Sequence, residues 1–273
     1  MNEERKPRER FLALDTSTAV LAAALMENET VLSESNSRTE RNHAVHVVQA
    51  LEDLMKEQHI ERTEIGGIAV GIGPGSYTGI RIAVTAAKTL AWAWGVPVAS
   101  VSSLEALAWG GIGSLKDNKK IGAASTDSGN RVKAEQVQYW VVPLMDARRG
   151  QAYTAWFEGY DAEKPMHRLE EDGIRLVEPW TEKLAEQYEQ AEASSRPAGI
   201  IFAGEVSQHA ETIEKLRDRL SCELVLMPYD MEGRYVGKLG AMKLKAGQHD
   251  DVHTLIPNYT QLAEAEANLL RKG

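Results

Sequence analysis

Cysteine is all but missing: Cys222 is the single one in 273 residues. An internal disulfide is therefore excluded, which fits a reducing compartment. As a lone thiol, Cys222 reads as an inert, partly buried side chain, because nothing near it in sequence would depress its pKa. Positive charge is in deficit: Lys plus Arg number 31 against 40 for Asp plus Glu, a net charge of −9. A protein that binds nucleic acid unaided needs a basic surface to displace phosphate counterions, so the balance argues against such a role but leaves room for a local basic patch. Long apolar runs are absent too. The longest, residues 19–26, is far short of the roughly 20 residues that span a bilayer. Residues 2–10 (NEERKPRER) lack the apolar stretch of a signal peptide and read as a frayed tail. A cytoplasmic location with no membrane contact is expected.

Catalytic motifs are lacking as well. There is no HExxH, no GxSxG and no motif pairing a nucleophile with a base, so a peptidase reading finds no support. His43 and His46, at i and i+3, have no obvious third ligand. The cluster His249-Asp250-Asp251-Val252-His253 resembles a metal site in outline only, and both read as solvated polar residues. No metal site is expected.

What is present is the material of a globular core: 43% hydrophobic and 26% charged residues. The length suits one large or two small domains at roughly 100–200 residues each. Apolar runs at 11–14 and 19–26, with weak alternation over 30–35, predict an antiparallel meander. Ala44, Val47, Val48, Leu51, Leu54 and Met55 recur at helical spacing and predict a helix over 40–58. A strand over 65–72, a helix over 78–94 capped by Thr78 and stopped by Gly95, a strand over 98–101 and a helix opened by Ser102 and Ser103 follow. This order predicts a mixed sheet with helices on its faces.

Residues 114–136, rich in Gly, Ser, Lys and Asp, break the pattern and read as a mobile insertion. The opening then repeats: strand 137–145, the turn Asp146-Ala147-Arg148-Arg149-Gly150, strand 151–157. Asp15 and Asp146 hold the same place in the two copies. The expected organisation is a tail (1–10), an N-terminal lobe (11–113), the insertion (114–136) and an eroded second copy (137–273). That copy has helices near 180–193, 207–220 and 233–246, and strands 199–203 and 223–227.

A strand ending in Asp15, followed by Thr16, Ser17 and Thr18, is either an ordinary β-turn or the remains of a phosphate site. Gly75 and Ser76 belong to a glycine loop, 71–79, that feeds a helix N-terminus and so has free amides. Its spacing matches neither a Walker A loop nor a dinucleotide fingerprint, and a tight strand-to-helix connection is the alternative. Duplicated meanders with an acidic first turn are the plan of actin-like ATPases and sugar kinases. In those folds the second turn binds phosphate through glycine amides, and here Arg148 and Arg149 stand in the way.

The helix over 78–94 is the most informative segment, with Arg81 and Lys88 its only charges. Ile80, Ala83, Val84, Ala87, Leu90, Ala91 and Trp94 form one stripe for a sheet. Gly79, Ile82, Ala86, Thr89 and Ala93 form a second seam of small or neutral residues that admits another helix. A helix apolar nearly all round is either buried or lies in an interface. The seam is read as a partner-binding face, with packing against the preceding helix as the alternative.

DTST at 15–18, GIGPGSYTGIRIA at 71–83, SSLEALA at 102–108, MDARRGQAY at 145–153 and IPNYTQLAEAEA at 256–267 together resemble the TsaB (YeaZ) family. The resemblance implies a duplicated actin-like (ASKHA, RNase H-like) α/β fold and a part in making threonylcarbamoyladenosine (t6A) in tRNA. It implies a non-catalytic scaffold that pairs with the TsaD transferase through its first two helices and supports binding of the ATPase TsaE. It further implies a homodimer when alone, and tRNA contact mainly through partners. On that reading the chain has no catalytic residues and no cofactor of its own, with ATP and metal on its partners. The rival is an ATPase or small-molecule kinase using Asp15 and the 71–79 loop. The chain departs from the family pattern in residues 114–136, in Thr260-Gln261 after Tyr259, and in Ala203-Gly204-Glu205.

Overall fold

The computed structural model describes residues 9–38, 43–118, 137–160 and 164–260. The expected tail (apart from residues 9 and 10), most of the expected insertion and the Ala/Glu/Leu-rich segment after 260 lie outside them. Two five-stranded mixed sheets form the framework.

The first sheet contains β1 (Arg10–Asp15), β2 (Val20–Glu27), β3 (Thr30–Arg38), β4 (Ile65–Gly71) and β5 (Val98–Val101), in the order β3-β2-β1-β4-β5. β1, β2 and β3 are an antiparallel meander, and β4 and β5 run parallel to β1. The second sheet contains β6 (Tyr139–Asp146), β7 (Gln151–Gly159), β8 (His167–Leu176), β9 (Gly199–Gly204) and β10 (Glu223–Pro228), in the order β10-β9-β6-β7-β8. Its pairings repeat those of the first sheet strand for strand. The duplicated α/β fold expected from the sequence is therefore present, with Asp15 and Asp146 each closing the first strand of a copy.

The two faces of the first sheet differ in side-chain size because large and small residues alternate along its strands. Leu12, Leu14, Leu21, Leu25, Ile68, Val70 and Val98 lie in one apolar core with Val47, Leu51, Leu54, Ala83, Val84, Ala87 and Ala91. Those last residues come from α1 (His43–Glu57) and α2 (Tyr77–Trp94). Ala13 pairs with Ala24 and Ala69, and Ala69 with Ala99, so the opposite face is lined by small residues.

That small face receives α6 (Gly233–Lys245). Gly233, Gly237 and Gly240 recur on one side of the helix. A Cβ at Gly233 would strike the Ala23 backbone, one at Gly240 the Ala69 Cβ, and one at Gly237 would come 2.6 Å from Met26 Sδ. Glycine is needed here for close approach. The end of the helix is fixed by β3: Gly233 N donates to Asn36 Oδ1 at 2.9 Å and Arg234 N to Glu34 Oε1 at 2.8 Å. This corrects the expected boundary, which placed everything after 137 in the second lobe. The chain divides into residues 1–106 with 231–273, and residues 107–230. Reciprocally, most of α3 (Ser103–Asn118) belongs to the second unit, where a Cβ at Gly111 would strike Ala203 and one at Gly110 would strike Tyr229. Residues 114–118, expected to begin the insertion, complete this helix.

The expectation of an eroded second copy needs refinement. All five strands are present, including β8, which the sequence reading missed because HRLEEDGIRL is charged and only half-buried. The shrinkage lies between β9 and β10. Where the first copy has the 18-residue α2, the second has α5 (Ala210–Glu214), five residues flanked by 3₁₀ turns. Another helix of this unit, α4 (Val177–Gln190), packs Trp180, Leu184 and Tyr188 onto Trp140, Val142, Ile200 and Phe202.

Residues 250–260 strap the first sheet. Asp250 N donates to Val98 O at 2.8 Å and Ser100 N to Asp250 Oδ2 at 2.7 Å, which closes the β5 edge. Leu255 enters the core and Asn258 N donates to Ile72 O at 2.8 Å.

Candidate functional site

The Asp15 turn and the 71–79 loop, singled out separately in the sequence, meet. Asp15 Oδ1 accepts from Ser17 N and Ser17 Oγ, each at 2.6 Å, and Oδ2 accepts from Ser103 Oγ at 2.5 Å. Ser103 Oγ also accepts from Gly73 N at 3.0 Å. Thr16 Oγ1 donates to Gly79 O at 2.6 Å, and Ser76 N donates to Ser17 O at 2.7 Å. A Cβ at Gly71 would strike the Asp15 carboxylate, one at Gly75 would strike Ser17, and one at Gly79 would strike the Thr16 carbonyl. The glycines are there to let the loop lie on the turn. Asp15, Thr16 and Ser17 are buried, at 0%, 0% and 2% exposure. Burial raises the Asp15 pKa above its ordinary value, against the lowering effect of the Ser103 and Ser17 hydrogen bonds.

The turn thus spends its polar groups on its own chain, as a latch joining β1, the glycine loop and the start of α3. The side chains of Asp15, Thr16 and Ser17 are thereby all engaged within the chain. Ser76 is exposed and caps α2, its Oγ accepting from Gly79 N at 3.3 Å; the cap is Ser76 rather than Thr78. Gly95, at φ 64°, ends the helix as expected.

The second copy's turn is the reverse. Arg148, Arg149 and Gly150 are exposed, and all three have left-handed backbone, with φ of 66°, 53° and 74°. The conformation costs an L-residue about 1–2 kcal/mol. Gln151 N bonds Arg148 O at 2.9 Å, Ala147 N bonds Gln151 O at 2.9 Å and Val177 N bonds Gly150 O at 2.9 Å. Arg148 N donates to Asp146 Oδ1 at 3.1 Å, and Asp146 N to Glu205 Oε2 at 2.6 Å. The Glu205 carboxylate thus accepts from the amide of the last residue of β6. Behind it, buried His209 places Nε2 3.4 Å from Asp146 Oδ1 without a hydrogen bond.

The helix seam is only partly a surface. Gly79 is buried beneath Thr16 and takes no part in it. Ile82 and Ala86 are half-buried against the core, while Thr89 and Ala93 are exposed. Beside them α1 exposes Val45 at 69% and Val48 at 41%, and Trp92 stands 68% exposed near the end of α2. Val45 and Trp92 were missed because a large apolar residue outside a periodic stripe gives no sequence signal. At the start of α2, Arg81 lies 4.0 Å from the Tyr77 ring centroid and its Nε donates to Tyr259 Oη at 2.8 Å. Tyr77 and Tyr259 both fall within the motifs quoted from the sequence, but their meeting at Arg81 is a long-range contact. The His249–His253 cluster belongs to the strap described above, Asp250 being committed to the β5 edge.

These features define an α/β protein of actin-like, duplicated fold whose first acidic turn is sealed from within. The TsaB protein of Bacillus subtilis (strain 168), a tRNA threonylcarbamoyladenosine biosynthesis protein, is 32% identical over 258 residues, 94% of this chain and 96% of its own length. The TsaB protein of Escherichia coli (strain K12) is 30% identical over 152 residues, 55% of each chain. YeaZ from Pseudomonas aeruginosa shares the fold, with a TM-score of 0.66 at 21% identity over 92% of this chain and 99% of its own. Residues 30–120 match the family model of TsaD, tRNA N6-adenosine threonylcarbamoyltransferase. The chain belongs to the TsaB family, and the resemblance read from the sequence is borne out; its role lies in the synthesis of t6A in tRNA. Among the described residues no helix is long and apolar enough to cross a membrane.

Proposed function

We propose that this chain is a non-catalytic, cytoplasmic scaffold of t6A synthesis, which docks a TsaD-like transferase through the α1–α2 face and supports binding of a TsaE-like ATPase. The observation that carries the reading is the exposure of Val45 and Val48 on α1 and of Trp92, with the small Thr89 and Ala93, on α2, two helices that pack against each other. Large exposed apolar groups gathered on one face mark interaction sites. The segment that matches the TsaD family model, 30–120, contains both helices. A relative in that family would carry a corresponding pair, so two such faces can meet about a pseudo-twofold axis. The same logic gives a homodimer when the partner is absent. ATP, metal and most tRNA contact would fall to the partners.

The sealed Asp15 latch favours this reading over an ATPase or kinase of the first lobe. The test is tRNA threonylcarbamoylation in vitro with TsaD- and TsaE-like proteins, threonine, bicarbonate, ATP and a threonylcarbamoyl-AMP synthase, with and without this chain. Modification should require the chain, survive Asp15→Asn and fail with Thr89→Arg. Modification that proceeds equally without the chain would sink the proposal.

A further inference from the structure

We infer that the Arg148–Arg149 tip of the β6–β7 hairpin is a contact for the phosphate backbone of RNA; this rests on the reading of the chain as part of a tRNA-modifying assembly. Left-handed positions in a hairpin turn favour Asn, Asp or Gly, and arginine is a poor choice for the backbone. Two in succession, at φ 66° and 53°, are therefore not explained by the turn. Strain of this kind persists where surrounding structure over-determines it, and it gathers at functional positions.

The tip is over-determined by its hydrogen bonds to Gln151, Val177 and Asp146, and by the bond from Asp146 to Glu205. The guanidiniums are thus presented from a rigid base, which lowers the ordering cost of binding. Neither has a hydrogen-bond or ion-pair partner among the described residues. Elsewhere Arg10, Arg168, Arg175, Arg217, Arg219 and Arg234 are all committed to carboxylates. In a chain of net charge −9, these two guanidiniums side by side are open to an anionic partner.

The neighbouring acids are held at the base of the tip by backbone amides, Asp146 accepting from Arg148 N and Glu205 from Asp146 N, and neither is hydrogen-bonded to a guanidinium. A planar guanidinium suits the two oxygens of a phosphodiester better than a lysine would. RNA is favoured over an acidic protein because the family's role is in tRNA modification. The equivalent turn of the first copy, Thr16-Ser17-Thr18-Ala19, carries no basic side chain, so the contact belongs to the second copy alone.

The test uses Arg148→Asn/Arg149→Asn, since Asn accepts the left-handed backbone. The double variant should melt about 2–4 °C higher than wild type, because strain is relieved. Binding of a fluorescent tRNA transcript to the full chain assembled with its partners should weaken on the order of tenfold. The slope of log K against log salt should fall by about 1.4–1.8. In the modification assay KM for tRNA should rise with kcat unchanged. A raised melting temperature with unaltered tRNA affinity and salt slope overturns the inference, as does absence of tRNA binding. So does weakened protein assembly in the absence of RNA, which would make the tip a protein contact. If the wild-type chain fails to support modification while arginine-dependent RNA binding is seen, the scaffold reading falls and the RNA contact stands.

Discussion

Asp15 and Ser103 stand 88 positions apart in the chain and share a 2.5 Å hydrogen bond, Ser103 Oγ donating to Asp15 Oδ2. The bond holds the end of β1 to the first residue of α3 in a site with no exposure for either side chain. A residue type that nucleotide-binding folds use for chemistry is here a structural pin.

The pin has a pH signature. Burial raises the folded pKa of Asp15 above the unfolded value near 3.8. The native state then holds a proton that the unfolded state has released, so this group's contribution to stability falls as pH rises from about 4 through the folded pKa. Asp15→Asn removes the ionisation and keeps the shape. The difference in melting temperature between Asp15→Asn and wild type should grow in the variant's favour from pH 4 upward. Asp15→Ala, which leaves Ser17 and Ser103 without their acceptor, should cost about 1–3 kcal/mol near pH 4, and the cost should shrink as pH rises because only wild type carries the ionisation. Thermal melts across pH 4 to 8 check both.

The glycine seam of α6 predicts a graded series. Gly→Ala in a helix gains close to 1 kcal/mol of propensity when there is room. Gly237→Ala faces the flexible Met26 side chain and should be near neutral. Gly240→Ala and Gly233→Ala meet Ala69 and the Ala23 backbone, and should lose about 1–3 kcal/mol by overpacking. Denaturant unfolding of the three variants gives the order.

The docking face predicts variants that fold and do not pair. Thr89 and Ala93 are exposed, so Thr89→Arg and Ala93→Asp should leave the melting temperature within about 2 °C of wild type. Binding to a TsaD-like partner should weaken roughly thirtyfold or more. Calorimetry against the partner measures this, and light scattering of the chain alone should show self-association lost as well.

Asp250→Ala should expose the β5 edge without unfolding the chain. Ser100 N loses its acceptor, so its hydrogen exchange should quicken at least about tenfold while amides of β1 keep their protection. Equal acceleration in β1 would mean that the strap supports the whole sheet.

Much of the first lobe was legible in the sequence because its signals are local. The alternation of FLAL, the periodicity of α1 and α2, Gly95 as a stop and the recurrence of an acidic turn at 146 each follow from residues close together. Three things were not legible. β8 hides behind HRLEEDGIRL, where charge on a half-buried edge masks alternation. The destination of α6 depends on glycines that match a face of alanines more than a hundred residues upstream, a match no local window contains. The candidate site was half legible: Asp15 and the glycine loop were both noticed, but their meeting with Ser103, which seals the turn, is a long-range event. Of the seam, Thr89 and Ala93 emerge on the surface and Gly79 does not, because its missing side chain serves the Thr16 carbonyl instead.

The return of α6 to the first sheet sets a timetable for synthesis. Phe11, Ala13, Met26 and Ala69 are made early, and the helix that covers them comes from residues 233–245. At about 5–20 residues per second on the ribosome, that face stays bare for on the order of ten seconds. A polypeptide broken off before residue 233 keeps a sticky alanine surface and has no means to hide it. Such fragments should be held by chaperones and destroyed by proteases, so α6 doubles as a check that translation passed residue 245.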